Sequence, residues 1–296
     1  MKISIIGSNG FLSTAIGKYA NASGWRVDCY GLDAPTGHQF DNFYKINLMT
    51  GAIDCEKLLA SDMVVYASGA GIQSNLKEGA DLVYGLNVSA PIMICNKLKE
   101  LNFQGVFVTF GSVFEVGETV AKSPFSEDVV LNSTCRAPSE YVVSKRVFSR
   151  FVSSYEHEFT HWHFVIPTIY GEGENPKRLI PYVVNAIRLN GELHFTSGDQ
   201  VRQYIYVGEV PVLLEMALKK DLKSGVYNIE GSETLTVREI VQKVFDSFDR
   251  RIPKDCFGSA ERSDVGMKYL ALDGTKLRNT IGFTASTKIA DVIARY

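Results

Sequence analysis

Residues 2–13 read KISIIGSNGFLS and join a short apolar run, a glycine-rich turn and the start of an amphipathic stretch. The run Lys2–Ile6 has the β-branched composition of a buried strand, and Phe11–Ala22 has the periodicity of a helix. Gly7 and Gly10 allow the backbone between them to turn tightly and to approach a pyrophosphate at the helix N-terminus. The stretch therefore predicts a strand, a turn and a helix that together hold a dinucleotide.

Short β-branched runs continue to alternate with longer amphipathic stretches over residues 1–110, a pattern typical of βαβ units and a parallel sheet. Further strands are predicted at Arg26–Leu32, Met63–Ala67, Val106–Phe110, His163–Ile166 and Val201–Val207. Further helices are predicted at Ala52–Ala60, Leu82–Leu101, Tyr141–Tyr155, Leu179–Leu189, Val210–Leu218 and Val237–Phe248. Glycine and proline become denser in Pro167–Pro176, so a change of domain is predicted near Thr168.

The composition excludes several classes of protein. The chain has 296 residues, with 31 Lys and Arg against 33 Asp and Glu and a formal net charge of −2. This balance gives no overall field for nucleic acid or an anionic membrane, and no apolar run approaches the roughly 18 residues of a membrane helix. We expect a cytoplasmic, soluble protein without nucleic-acid or membrane partners. Five scattered cysteines with no C-x-x-C pair indicate neither a disulfide framework nor a zinc knuckle.

One segment matches a metal motif, because His157–His161 fits H-E-x-x-H, the zinc-protease helix. Its helix is predicted to end before the second histidine, since Trp162–Ile166 has the composition of a strand, and no third ligand follows at a familiar spacing. The two histidines are therefore predicted to cap a helix end and to face solvent, without a metal.

An acidic residue, Asp33, follows the second predicted strand. A carboxylate there accepts hydrogen bonds from an adenosine ribose and repels a 2′-phosphate. Residues 34–37 contain no arginine that could hold that phosphate. The sequence favours NAD as cofactor and leaves NADP open; the alternative is a plain βα turn with a surface aspartate.

The pair Tyr141 and Lys145 has i, i+4 spacing, which places both side chains on one face of a predicted helix. An ammonium beside a phenol favours the phenolate and lowers its pKa from about 10 toward neutrality. Tyr141 could then act as a general acid or base. By itself the pair would also suit a solvated helix surface.

Together these motifs resemble those of the extended short-chain dehydrogenase/reductases, of the NAD-dependent epimerase/dehydratase type that acts on nucleotide sugars. Matching segments run along nearly the whole chain: Gly7–Ser13, Val65–Ala70, Asn87–Ser89, Tyr141–Lys145, His163–Gly173, Arg202–Val210 and Arg262–Val265. The resemblance implies an α/β, Rossmann-like doubly wound parallel sheet with a smaller C-terminal α/β substrate-binding lobe. It also implies a homodimer.

The resemblance further implies two domains and three groups of site residues. Residues 1–167 would bind the dinucleotide, with a return of about 203–227 to this domain, and residues 168–202 and 228–296 would form the substrate lobe. Catalysis is implied for Ser112, Tyr141 and Lys145. Cofactor contacts are implied for Gly7, Gly10, Phe11, Leu12, Asp33, Asn47, Leu48, Ala67, Ser68, Gly69, Asn87, Tyr141, Lys145 and Ile166. Substrate contacts are implied for Ser112, Thr168, Ile180, Arg202 and Arg262, the arginines binding the diphosphate as guanidinium forks do.

Several positions depart from the family pattern. Ser13 replaces the last glycine of the turn motif, Val165 stands at an arginine, and Thr168 stands at an asparagine. An ungapped match puts Phe110 where the catalytic hydroxyl belongs. Ser112 is the nearest workable hydroxyl, Thr109 is the alternative, and a site with neither stays open.

The sequence leaves three candidate functions. The resemblance to the 4-ketoreductase branch favours reduction at C4 of a 4-keto-(di)deoxyhexose nucleotide in deoxysugar biosynthesis. The alternative is an NAD-dependent nucleotide-sugar 4-epimerase, and a further one is a non-catalytic nucleotide-binding scaffold. A dehydratase is disfavoured because Val113 and Phe114 stand where such enzymes place an acidic pair.

Overall fold

The computed structural model describes residues 1–72, 78–156, 158–260 and 267–296, and the chain divides into two units. The first unit comprises Met1–Glu115, Ser139–Val165 and Val210–Tyr227. The second unit comprises Val116–Pro138, Ile166–Glu209 and Asn228–Tyr296.

The first unit is built on a seven-stranded sheet. Its strands are β1 (Lys2–Ile6), β2 (Arg26–Gly31), β3 (Asn42–Lys45), β4 (Met63–Tyr66), β5 (Val106–Ser112), β6 (Thr160–Ile166) and β9 (Gly225–Asn228). Their order is β3-β2-β1-β4-β5-β6-β9, and β1 pairs in parallel with both β2 and β4. The strand order reverses between β1 and β4, which is the switch point where such sheets bind ligands at their carboxyl edge. The predicted Rossmann-like fold class is confirmed.

The described residues of the two units form ten α-helices. They are α1 (Phe11–Ala22), α2 (Ala80–Tyr84), α3 (Ala90–Glu100), α4 (Glu127–Leu131), α5 (Glu140–Ser154), α6 (Leu179–Leu189), α7 (Glu209–Lys219), α8 (Val237–Asp246), α9 (Thr275–Ile281) and α10 (Ile289–Val292). Every residue of β4 and β5 is buried, as expected where helices cover both faces of a parallel sheet. The helices in the described part of the chain are too short or too polar to span a bilayer.

The second unit has a smaller sheet of its own. Its strands are β7 (Thr168–Tyr170), β8 (Val201–Tyr206), β10 (Glu233–Thr236) and β11 (Tyr269–Leu270). β8 lies at the centre and pairs in parallel with β7 and β11 and antiparallel with β10. One apolar face each of α6 and α8 packs into the core of this unit. A capping box, in which Thr236 Oγ1 accepts from the N–H of Glu239, begins α8.

The unit boundaries differ from the predicted ones in two places. Residues 201–206 form the central strand of the second sheet, so the chain returns to the first unit at Val210 rather than at about 203. Residues 116–138 belong to the second unit, where the N–H of Phe125 donates to the carbonyl of Ala271 at 2.9 Å.

Two predicted helices also differ from the observed elements. The predicted Leu82–Leu101 helix is divided into α2, a π-helical turn at Gly85–Ser89 and α3. The predicted Ala52–Ala60 helix is a single 3₁₀ turn at Cys55–Leu58, capped by the Asp54 carboxylate.

The prediction that the histidines of the H-E-x-x-H match face solvent is wrong for His161. This residue lies within β6 and is completely buried, because the strand begins at Thr160 and carries it into the sheet. His157 lies outside the described residues. Within the described ranges, no cluster of three His, Cys, Asp or Glu side chains could hold a metal ion.

Candidate active site

The glycine turn after β1 packs directly against the loop that follows β4. Gly7 has φ = +87°, and a Cβ added to it would lie 2.7 Å from the backbone N and 2.8 Å from the Cα of Ser68. Gly10 precedes α1 with extended backbone and no side-chain cap, so the first turn of that helix keeps its backbone donors available. Both predicted glycine positions therefore have the geometry of a close backbone turn.

Ser13, which replaces the last glycine of the family motif, forms hydrogen bonds within this turn. Its hydroxyl lies 2.7 Å from the carbonyl oxygen of Gly7 and 2.9 Å from that of Gly10, and shares its proton between them. The side chain is completely buried. The replacement therefore adds an internal bond to the turn and leaves the N–H groups of α1 unused.

The carboxyl end of β2 is fastened beside the same turn. The side-chain amide of Asn9 donates to the carbonyls of Asp33 at 2.9 Å and Ala34 at 3.1 Å. The Asp33 side chain is exposed at this edge. An uncapped helix N-terminus with a carboxylate at the neighbouring strand end fits the pyrophosphate and ribose of a dinucleotide.

The other predicted cofactor residues lie in four places. Phe11 and Leu12 are half-buried in the first turn of α1, and Asn47 closes a turn by accepting from the N–H of Met49 at 3.0 Å. The remaining ones follow strands or end them: Leu48, Ala67, Ser68, Gly69 and Ile166. The loop after β4 packs against the Gly7 turn.

Asn87 ties this loop to the helix that carries the candidate catalytic pair. Its Nδ2 donates to the carbonyl of Ala70 and to the hydroxyl of Ser144, each at 2.9 Å, and its Oδ1 accepts from the N–H of Ala70 at 3.0 Å. The side chain is buried, and the π turn around it places it at this junction. Asn87 is therefore a link between the β4 loop and α5.

Replacing Asn87 with Ala is expected to lower the free energy of unfolding by about 3 kcal/mol, because three buried hydrogen bonds are lost. Urea unfolding of the two proteins measures this change. Asn96→Ala, at an exposed position on α3, is the matched control and should stay within about 0.5 kcal/mol of the wild type. Equal effects of the two substitutions would contradict the linking role.

The candidate catalytic pair lies on successive turns of α5. The ammonium nitrogen of Lys145 is 5.9 Å from the ring centroid of Tyr141 and donates to the carbonyl of Phe110 at 2.8 Å. Burial lowers the pKa of Lys145 to about 8, and the nearby Glu115 carboxylate opposes that change. Tyr141 also adjoins the β4 loop, because a Cβ added to Gly71 would lie 3.2 Å from the Cβ of Tyr141.

Ser112, the predicted catalytic hydroxyl, is the last residue of β5. The N–H of Phe114 donates to its Oγ at 3.3 Å, and the Phe114 ring packs edge-to-face against the Tyr141 ring with centroids 6.4 Å apart. Thr109, the alternative, faces the opposite side of the strand from Ser112, because side chains alternate along it. Its hydroxyl is completely buried and bonds His161 Nε2 and His163 Nδ1, each at 2.8 Å. The Thr109 hydroxyl is thus held between two buried histidines, whereas Ser112 ends the strand and accepts from the N–H of Phe114.

The predicted substrate residues other than Ser112 fall in the second unit or outside the described residues. Arg202 lies on β8, is 9% exposed and donates to the carbonyl of Val201 at 2.8 Å. Thr168 begins β7 and is half-buried. The side chain of Ile180 packs in the hydrophobic core, which leaves only its backbone for the predicted contact. Arg262 lies outside the described residues.

A group of buried polar side chains behind Ser112 was missed by sequence reasoning. Glu115 is completely buried, and its Oε1 accepts from the N–H of Ser112 at 2.7 Å. Ser149 Oγ and His163 Nε2, also buried, lie 2.8 Å apart. Burial raises the pKa of Glu115 and lowers that of His163 to about 3. The available signal was an acidic residue inside the otherwise apolar run Val113–Val116.

Two curated relatives share part of the sequence. CDP-abequose synthase of Salmonella muenchen is 29% identical over 111 residues, which is 35% of this chain and 38% of that protein. A dTDP-glucose 4,6-dehydratase of Salmonella typhimurium is 29% identical over 186 residues, 57% of this chain and 48% of that protein. The matches thus span less than half the length of each of these relatives.

Solved structures resemble the whole chain in fold. MoeE5 in complex with UDP-glucuronic acid and NAD superimposes with a TM-score of 0.81 and 20% identity, covering 100% of this chain and 97% of that one. A UDP-glucose 4-epimerase from Thermotoga maritima with UDP-glucose gives 0.83 and 16%, with the same coverage. The model of the NAD dependent epimerase/dehydratase family matches residues 3–229. Together with the turn, the sheet order and the Tyr141–Lys145 pair, this match establishes that the chain belongs to that family.

Proposed function

We propose that this chain is an NAD-dependent nucleotide-sugar oxidoreductase that reduces a 4-keto-deoxyhexose nucleotide at C4. The observation that carries the proposal is the loop 67–71, which packs against Gly7 at one end and against Tyr141 at the other. The predicted cofactor turn and the predicted proton donor are therefore neighbours within one unit. Family membership and the NAD-bound neighbours support NAD as cofactor, and Asp33 with no arginine at residues 34–37 favours NAD over NADP.

The residues of the chain have distinct roles in this reaction. NAD supplies the redox chemistry when bound, by exchanging a hydride with a ring carbon of the sugar. Tyr141 donates its proton to the ketone oxygen, and Ser112 donates a hydrogen bond to the same oxygen. The Lys145 ammonium favours the phenolate that Tyr141 leaves behind. Arg202 and Arg262 are proposed to bind the diphosphate, which would hold the sugar in place for reaction.

The choice of a reductase rests on two sequence features. The relative CDP-abequose synthase shares a local stretch of 111 residues with this chain. Val113 and Phe114 supply no acid–base pair directly after Ser112, which disfavours dehydration. An NAD-dependent 4-epimerase is the second candidate, favoured by the exposed Asp33 and by the fold of the Thermotoga maritima epimerase.

Turnover of defined sugar nucleotides tests this function. The purified protein is incubated with 4-keto deoxysugars linked to CDP, dTDP, UDP or GDP, and with NADH or NADPH in parallel. Oxidation of one cofactor per sugar reduced at C4 would support the reductase. Interconversion of C4 epimers without net change in cofactor absorbance would establish the epimerase instead. Absence of turnover with every pair would exclude the proposed activity for these substrates.

Ser112→Ala is expected to lower kcat by about 100-fold, because it removes a hydrogen bond to the oxygen on which charge develops. Thr109→Val is expected to act mainly on stability, by about 2 kcal/mol, since it leaves nitrogens of His161 and His163 without their hydroxyl partner. Steady-state kinetics and urea unfolding of both variants separate the two effects. A larger loss of kcat in Thr109→Val than in Ser112→Ala would assign the catalytic hydroxyl to Thr109.

A further inference from the structure

The last residues of β5, which end at the candidate catalytic hydroxyl, are held by two oppositely charged side chains. Lys145 donates to the carbonyl of Phe110 at 2.8 Å, and Glu115 Oε1 accepts from the N–H of Ser112 at 2.7 Å. Only Gly111 separates the two anchored residues. The backbone that presents Ser112 is therefore fixed at both ends of a three-residue segment.

Gly111 has no side chain, and buried polar atoms of neighbouring residues fill the space that a Cβ would occupy there. A Cβ on Gly111 would lie 2.6 Å from Glu115 Oε1, 2.7 Å from His163 Nε2 and 3.3 Å from Ser149 Oγ. Three buried polar atoms thus converge where another residue would carry its side chain. The Ser149 hydroxyl also hydrogen-bonds the Glu115 carboxyl and so joins it to His163.

Burial raises the pKa of Glu115, and the polar and charged groups around it oppose that rise. Lys145 and Arg146 face it from α5, and both oppose the rise in the pKa of Glu115 that burial causes. His163 faces it from β6 and is neutral near neutral pH, because burial lowers its pKa to about 3. Hydrogen bonds from Ser112 and Ser149 also favour the carboxylate. Glu115 is the carboxylate that faces the Lys145 ammonium within this group.

We propose that Glu115 is a positioning residue, whose carboxylate fixes the backbone of Ser112 and keeps the neighbouring Lys145 side chain charged. It acts through Ser112 and Lys145 and touches neither substrate nor cofactor. The inference rests on the proposed function in one respect, because that function gives Ser112 and Lys145 their catalytic roles. The contacts themselves belong to the fold.

The direct test is the pKa of Lys145 in Glu115→Gln, followed by NMR of protein labelled with ¹³C at the lysine Cε atoms. Lys145→Arg identifies the Lys145 signal. Gln retains an oxygen that accepts from the Ser112 N–H but carries no charge. We expect the pKa of Lys145 to fall by about one pH unit below its wild-type value, because an opposite charge nearby is lost. A merely structural role would not move this pKa, and an unchanged value would overturn the proposal.

Glu100→Gln is the matched control. Glu100 pairs with Lys97 at 2.8 Å on the surface of α3, and this pairing raises the pKa of Lys97. The control should therefore lower the pKa of Lys97 and leave that of Lys145 at its wild-type value. A shift of Lys145 in the control equal to that in Glu115→Gln would also overturn the specific role of Glu115.

If Glu115→Gln does not fold, the pKa of Lys145 is measured in Ser149→Ala instead. Loss of the Ser149 hydroxyl removes a hydrogen bond that stabilises the Glu115 carboxylate, so the pKa of Lys145 should fall in the same direction by a smaller amount. An unchanged pKa in this variant would then overturn the proposal. The titration contains no sugar nucleotide, so its result is independent of whether the proposed turnover is found.

Discussion

Tyr141→Phe is expected to lower kcat for the proposed hydride transfer by about 1,000-fold, because it removes the proton donor and leaves the rest of the ring in place. NAD affinity should fall by less than about ten-fold, since one phenol contact is lost while the Gly7 turn and the uncapped N-terminus of α1 do not depend on the phenol. The packing of Phe114 against the ring, with centroids 6.4 Å apart, should also persist. The loss should therefore appear mainly in the chemical step.

Single-turnover kinetics and NAD titration calorimetry of the Tyr141→Phe protein measure these two effects. Tyr19→Phe is the matched control. The Tyr19 hydroxyl, on α1, donates to the Glu215 carboxylate on α7 at 2.7 Å and has no part in the candidate site. Its kcat should stay within about two-fold of the wild type. Turnover by Tyr141→Phe at the wild-type rate would place the proton donor on another residue.

Gly7→Ala is expected to lower the free energy of unfolding by about 4 kcal/mol and to weaken NAD binding by about 100-fold. The residue has φ = +87°, which disfavours any side chain, and the added Cβ would meet backbone atoms of Ser68 at 2.7 and 2.8 Å. Either the turn or the β4 loop must move to relieve that contact. Both movements displace the backbone that is proposed to hold the pyrophosphate.

Gly24→Ala separates conformational strain from the steric contact. Gly24 has a similar φ of +69°, but a Cβ added there meets no atom within 4 Å. We expect this control to cost about 1 kcal/mol and to leave NAD affinity at the wild-type level. Urea unfolding and calorimetry are carried out on both variants. Equal losses in the two proteins would show that strain alone, and not the packing of Gly7 on Ser68, explains the effect.

The sequence predicts best those elements whose signals are local. The bounds of β1, α1 and α6 are predicted to the residue, because a short apolar run, a glycine turn and an amphipathic period each act within a few positions. The pairing of Tyr141 with Lys145 follows from helical spacing alone. These features account for the fold class and for two of the candidate catalytic residues.

Features that depend on distant residues could not be predicted in this way. The π turn at Gly85–Ser89 holds Asn87 against Ala70 and Ser144, whose contacts no local pattern reveals. The short strands β7 and β11 of the second unit both pair with β8, on the edge opposite to β10. Their apolar character alone does not specify a partner.

The buried polar group behind β5 is the clearest example at the site. His161 belongs to a motif that suggests a helix and solvent exposure, yet its ring bonds Thr109 within the sheet. Glu115 interrupts an apolar run, and its significance depends on Gly111 leaving space for its carboxylate. A buried polar side chain requires a partner, and those partners lie on β6 and α5.

Isotope transfer from the cofactor to the sugar tests the proposed reduction at C4. The protein is incubated with NADH deuterated at C4 of the nicotinamide and with a 4-keto-deoxyhexose nucleotide, and the product is analysed by NMR and mass spectrometry. We expect one deuterium per product molecule, located at C4 of the sugar, and transfer that is about 1,000-fold slower in Tyr141→Phe. A reduced or rearranged sugar that carries no deuterium at C4 would contradict the proposed reduction.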